Sequence, residues 1–139
     1  MFVCFFRLFR NTGIDFEPDH PFQRLSEINI RNCTMTGNLG QGVSVTLPQL
    51  NGSSSPVDIT LDSCILENNT WGYRVLAGGN QSGGQGPPPG GAIRMVNSQL
   101  HGSRLAALDI GGPTTSSAQV EIINVSFQAR PLCRRHLVE

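Results

Sequence analysis

The stretches RNCTMTGN (31–38) and DSCILENN (62–69) decide the fold. Each has Cys in its third position and an Asn five residues after that Cys, and their starts lie 31 residues apart. Spacings of this length, repeated with elastic loops, are typical of solenoids in which each repeat packs on its neighbours. The pair therefore predicts stacked coils.

Four segments carry the same pattern of apolar and polar positions: INIRNCTM, ITLDSCIL, IRMVNSQL and VEIINVSF. They start at Ile28, Ile59, Ile93 and Val120, with separations of 31, 34 and 27 residues. The fifth position of each is a polar residue, and we expect a backbone bend there because Asn tolerates left-handed angles. The predicted bend residues are Asn32, Ser63, Asn97 and Asn124.

A second register runs through the same repeats. Gly13, Gly42, Gly72 and, more weakly, Ala107 open short segments (GIDFE, GVSVT, GYRVL and ALDIG) that alternate as strands do. Each repeat thus offers three short strands without helical periodicity. We predict a right-handed parallel β-helix over residues 11–128, with about three complete coils and partial coils at its ends.

The rival solenoid is the leucine-rich repeat. The segment LSEINIRNC from Leu25 fits that consensus once. The corresponding leading position is Pro56, Gly90 and Ser117 in the other repeats, and each repeat is rich in Gly and Pro where a helix would be needed. The β-helix is therefore favoured.

Composition restricts the class of function. Of 139 residues only 14% are charged, the net charge is zero and all ten basic residues are Arg, so no electrostatic footprint for nucleic acid is visible. The apolar run within residues 1–10 is too short for a membrane span and lacks signal-peptide features. Residues 1–10 and the basic tail 129–139 are atypical, and we expect a fragment of a longer chain; the alternative is an apolar first strand with a frayed tail.

The segment GIDFEP (13–18), followed by an I-x-N-C-x4-N-x-G-x-G coil (30–42), resembles the right-handed β-helix, pectate-lyase-like superfamily of bacterial proteins. The resemblance covers about residues 11–128. It implies an extracytoplasmic, secreted or cell-surface protein that acts on polysaccharides as a lyase or a glycoside hydrolase. The alternative is a non-catalytic scaffold or a glycan-binding, tailspike-like module, because fold does not imply function.

In-register stacking places polar residues in two outward columns on the third strands. One column holds Asp15, Ser44, Arg74 and Asp109, and the other holds Glu17 and Thr46. By the resemblance, this face lines a substrate groove in which catalysis falls to Asp15, Glu17, Arg74 and Asp109, substrate binding to Ser44, Thr46 and Trp71, and any calcium to Asp15 and Glu17. The alternative is a solvated strand face on which Arg74 pairs with Asp109.

Other features carry weaker expectations. The segments 47–58 and 76–91 follow the same strand and are expected either to build the binding face or to be disordered excursions. We expect Tyr73 to point inward and His20 to be a loop residue. Cys33 and Cys64 fall at equivalent positions of adjacent coils, a spacing that permits a disulfide, but we favour two buried thiols. No cap is readable unless the apolar N-terminal strand serves as one, so the chain is expected to be marginally stable or to self-associate through its ends.

Overall fold

The chain forms a stack of short parallel strands. The computed structural model describes residues 4–7, 11–76, 89–111 and 118–128. The strands are β1 (Cys4–Arg7), β2 (Ile14–Phe16), β3 (Ile28–Arg31), β4 (Cys33–Thr36), β5 (Gln41–Thr46), β6 (Val57–Asp62), β7 (Ile65–Glu67), β8 (Trp71–Leu76), β9 (Gly91–Val96), β10 (Gln99–His101), β11 (Ala106–Gly111), β12 (Gln119–Ile123) and β13 (Ser126–Gln128).

The strands assemble into three parallel sheets. Sheet A contains β1, β4, β7, β10 and β13; sheet B contains β2, β5, β8 and β11; sheet C contains β3, β6, β9 and β12. The chain visits the sheets in turn, so each neighbour in a sheet is one coil further along. The predicted all-β parallel solenoid of about three coils is confirmed, and its right-handedness stays a prediction.

The strand register agrees with the sequence alignment residue by residue. On sheet C, Ile59 pairs with Ile28 below and with Ile93 above, which in turn pairs with Val120. Sheet A begins with β1, which pairs in parallel with β4, so the first strand lies within the segment 1–10 that the sequence sets apart.

A bend with left-handed backbone angles separates each strand of sheet C from the next strand of sheet A. The N–H groups of the first three bends donate to carbonyls of the coil above: Asn32 to Asp62, Ser63 to Val96 and Asn97 to Ile123. The side chains add a ladder in which Asn124 donates to Asn97, and Asn97 to Asp62. The bend residues and their φ angles are Asn32 (52°), Ser63 (56°), Asn97 (48°) and Asn124 (51°).

The interior is filled by the inward side chains of all three sheets. Met35, Leu66 and Leu100 stack on sheet A and are fully buried. On sheet B, Val43 stacks on Tyr73 and Val45 on Val75, and all four are fully buried. Each coil buries its apolar face only against neighbouring coils, and this shared core is what holds a solenoid together.

One expectation needs correction. Cys64 is a buried free thiol as expected, but Cys33 is disulfide-bonded. A coil spacing of about 4.8 Å permits such a bond as readily as two stacked thiols, so the sequence pattern did not distinguish the two states. Of the two alternatives for segment 47–58, a disordered excursion is disfavoured, since the segment forms turns whose Leu47 and Leu50 are buried in the core.

Of the segment 76–91, residues 77–88 lie outside the described part of the chain. In the part of the chain that the structure describes, no helix is long and apolar enough to cross a membrane.

Candidate functional site

The outward column predicted on sheet B exists. Asp15 pairs in register with Ser44, Ser44 with Arg74, and Arg74 with Asp109. Parallel strands lie about 4.8 Å apart, so Asp15 and Arg74 are about two coil spacings apart, close to 10 Å. The parallel backbone thus places two carboxylates, a hydroxyl and a guanidinium on one line.

Ser44 and Thr46 are less available to a ligand than the sequence suggests. Ser44 is only 5% exposed, and its hydroxyl lies 3.2 Å from the hydroxyl of Thr46. The two hydroxyls share one hydrogen bond. Thr46 is half-buried and is the more accessible of the two residues.

Arg74 is the centre of the upper half of the column. Its Nε lies 2.9 Å from Oδ2 of Asp109, and its guanidinium carbon lies 5.4 Å from the ring centroid of Trp71. The Nε–H does not point at the carboxylate with hydrogen-bond geometry, so the contact with Asp109 is an ion pair. The pairing with Asp109 was the alternative drawn from the sequence, and the stacking on Trp71 adds a cation–π contact.

Trp71 therefore belongs to the outer surface. On β8, Tyr73 and Val75 point into the core of the solenoid and Arg74 points outward. Because the Trp71 ring lies beneath the Arg74 guanidinium, it is on the outer side. The Trp71 side chain is partly buried. Tyr73 points inward as predicted; its hydroxyl has no partner among the described residues, and burial raises the pKa of the phenol.

The lower half of the column opens into a shallow cleft. The cleft has a volume of about 310 Å³ and is lined by Asp15, Phe16, Glu17, Pro18, Gln23, Arg24 and Leu25. Asp15 and Glu17 are both exposed to water. Arg24 adds a cation to this cleft that the sequence pattern did not indicate.

The loop after β2 brings Gln23 and Arg24 to the cleft. The side-chain oxygen of Gln23 accepts hydrogen bonds from the backbone N–H groups of Asp19 and His20. The backbone N–H of Gln23 donates to the carbonyl of His20. This turn folds the loop back toward β2. His20 stacks on Phe22 at 5.2 Å and does not line the cleft, in keeping with a loop residue.

A calcium site would need more oxygen ligands than the cleft provides. Asp15 and Glu17 supply two carboxylates, whereas Ca²⁺ takes six to eight oxygens. Within the described ranges, no group of three or more His, Cys, Asp or Glu side chains is gathered to hold a metal ion. The side chains described do not amount to a calcium site.

Sheet C carries a second charged cluster that the sequence analysis missed. Arg94 donates from Nη1 to Asp58 at 3.0 Å and from Nε to Glu121 at 2.9 Å. The repeat alignment held the signal, because Arg94 and Glu121 follow the aligned Ile93 and Val120 and are therefore in register. This cluster ties three coils together.

The sequence matches no protein-family model, and no curated protein or solved structure is significantly similar to it. The structure shows a parallel β-solenoid. The resemblance of the chain to one superfamily rests on its sequence motifs alone.

Proposed function

We propose that this chain is a right-handed β-helix module, related to the pectate-lyase-like superfamily, that binds glycans on the outer face of sheet B in an extracytoplasmic protein. The observation that carries the proposal is the cluster of Trp71, Arg74 and Asp109 on that face, in register with Ser44 and Asp15. Parallel crossover connections are right-handed in about 98% of cases, which supports the handedness.

The chemistry of the cluster suits a sugar. An aromatic ring offers a flat apolar surface for the C–H face of a pyranose, and the polar groups beside it offer hydrogen bonds to hydroxyls. Arg74 and Asp109 supply a donor and an acceptor one coil apart. Because the guanidinium lies over the Trp71 ring, the pyranose would take the place of the guanidinium on that ring, and Arg74 would donate to the sugar from the side. Because successive coils repeat at about 4.8 Å, the face can follow an extended chain better than a compact ligand.

Glycan binding should depend on the side chains of the outer face of sheet B and not on the presence of an exposed Arg alone. The test is a glycan array with the unmodified chain, Trp71→Ala and Arg74→Gln. Arg94→Gln is the matched control, since Arg94 is similarly exposed and similarly paired but lies on sheet C. We expect Trp71→Ala and Arg74→Gln to lose binding while Arg94→Gln keeps it; equal loss in all three variants would contradict the proposal.

A second candidate function is hydrolysis, which the cleft beside Asp15 and Glu17 favours. Asp15 lies in β2 and Glu17 follows directly after its end, and two positions of extended backbone span about 6.6 Å. Glycoside hydrolases use two carboxyl groups on either side of the scissile bond at separations of about 5 to 9.5 Å. Asp109, three coils from Asp15, is too far away to complete that pair.

The hydrolysis candidate has its own test. Polysaccharides are incubated with the chain, with and without calcium, and the reducing ends released are measured. Activity that Asp15→Asn and Glu17→Gln both abolish, and that Asp58→Asn on sheet C leaves unchanged, would establish the cleft as an active site. Binding without any release of reducing ends would leave the module non-catalytic.

A further inference from the structure

Three small side chains stack along the inner edge of sheet A where the strands begin. Cys64 lies opposite Cys33, since their successors Ile65 and Thr34 are register partners. Ser98 lies opposite Cys64 on the next coil, and its hydroxyl accepts a hydrogen bond from the N–H of Cys64 at 2.9 Å. All three are at least 97% buried.

The two cysteines are in different chemical states. Cys33 is disulfide-bonded and Cys64 is a free thiol. The sulfur of Cys64 lies 3.5 Å from the carbonyl of Ile30 and 3.5 Å from that of Asp62. Ile30 belongs to the same coil as Cys33, so the thiol is directed at the coil that carries the disulfide. Register partners on parallel strands are about 4.8 Å apart, which lies within the Cα range of a disulfide.

We propose that Cys64 is a resolving thiol that takes over the disulfide of Cys33. In this step the Cys64 thiol gives its proton to water, and the Cys64 thiolate attacks the sulfur of Cys33. A bond forms between the Cys33 and Cys64 sulfurs while the bond from Cys33 to its present partner breaks. The partner sulfur leaves with the electron pair and takes up a proton, so one disulfide and one thiol are present before and after, and no oxidant or reductant is consumed.

The surroundings make this exchange slow in the resting fold. Burial raises the pKa of the Cys64 thiol, and only the thiolate attacks. The charged groups at this bend are Asp62, which also disfavours the thiolate, and Arg31, which lies 3.9 Å from Asp62. Exchange therefore accelerates as the pH rises, and its product is a cross-link between β4 and β7 on consecutive coils.

The chain offers a direct readout of the step. Cys33 and Cys64 are the two cysteines between Arg31 and Arg74, with no Lys or Arg between, so trypsin releases both in one fragment, 32–74. Before exchange that fragment is linked through Cys33 to a different fragment, because Cys64 is free. After exchange it is internally cross-linked, runs alone, and carries no alkylating reagent.

The oxidised chain is moved from about pH 6 to about pH 8 without added thiol, quenched with N-ethylmaleimide and mapped by mass spectrometry without reduction. We expect the internally cross-linked fragment to appear at a rate that rises about tenfold per pH unit below the thiol pKa. Cys64→Ser should abolish it while the original disulfide stays, and Ser98 in the same column shows that serine fits this environment.

Two results would overturn the proposal. One is a fragment that stays linked through Cys33 at every pH, with Cys64 carrying the reagent, in a chain whose circular dichroism shows it folded. The other is a mixture of all pairings identical to that formed in guanidinium chloride, because that pattern reports unfolding and not exchange between stacked coils.

Discussion

The side-chain oxygen of Asn69 accepts two hydrogen bonds from Asn38, one coil below it. One comes from the backbone N–H at 2.9 Å and the other from the side-chain amide at 2.8 Å, and both residues are fully buried. The amide of Asn69 in turn donates to the carbonyl of Met35 at 3.0 Å. These are the Asn residues that follow Cys33 and Cys64 by five positions, so the repeated spacing places an amide inside the corner between sheets A and B.

Asn69→Ala is expected to be strongly destabilising. It leaves two donors of Asn38 and the carbonyl of Met35 short of a buried partner, and each such group costs about 1–3 kcal/mol. We expect a loss of about 3 kcal/mol in the free energy of unfolding, measured with urea. Asn29→Ala, on the exposed face of β3, should cost less than about 0.5 kcal/mol. A loss below about 1 kcal/mol for Asn69→Ala would show that the amide ladder is not a main support of the stack.

Gly72→Ala is expected to force neighbouring coils apart. A methyl group there would lie 2.3 Å from the carbonyl oxygen of Ala107 and 2.8 Å from a methyl carbon of Leu100. Overpacking of this kind costs about 1–3 kcal/mol. Gly90→Ala is the matched control, since nothing lies within 4 Å of its added methyl. The two variants are compared by urea denaturation, and equal stabilities would contradict the tight approach of β8 and β11.

The bend ladder predicts a pH dependence of stability. Hydrogen bonds from Asn97 and Ser63, together with the charge of Arg31, hold the pKa of Asp62 below its ordinary value of 3.8. A carboxyl whose pKa is lower in the folded state contributes stability above its unfolded pKa, and this contribution is lost as the pH falls through the folded value. The free energy of unfolding should therefore decline on acidification below about pH 4.

The carboxyl carbon of Asp62 gives the direct measurement by NMR titration. Asn97→Ala should move the Asp62 pKa upward, because it removes the first of these hydrogen bonds, and Asp62→Asn should reduce the acid sensitivity of the unfolding free energy. Titration of Asp62 at or above 3.8 in the unmodified chain would refute the ladder's electrostatic role.

The last coil that the structure describes is expected to drive self-association. Ile110 and Phe127 follow the inward registers of Val75 and Leu100, yet they are 50% and 53% exposed. Exposed strand edges with apolar side chains pair readily with other chains. Sedimentation should show mass rising with concentration, and Phe127→Asp should reduce it. Leu39→Asp, at a similarly exposed turn away from that coil, should not; a reversible monomer at all concentrations would contradict this expectation.

The sequence predicted the register well because the repeat is carried by short-range features. The spacing of Ile28, Ile59 and Ile93 fixes which residues stack. The bends were predictable because a turn this sharp needs left-handed backbone angles, which Asn tolerates. The cleft was not predictable in full, since Arg24 reaches it through a loop whose fold depends on hydrogen bonds that the Gln23 side chain accepts from the backbone. The state of Cys33 was misjudged because stacked sulfurs look alike in sequence whether bonded or free.

The central claim is that the outer face of sheet B binds a glycan, and NMR titration of the isotope-labelled chain with a glycan from the array tests it most directly. We predict shifts of the Trp71 indole N–H and the Arg74 guanidinium N–H resonances, with those of Arg94 on sheet C unchanged. Shifts confined to sheet A or sheet C, or no shift with any glycan tested, would contradict the claim.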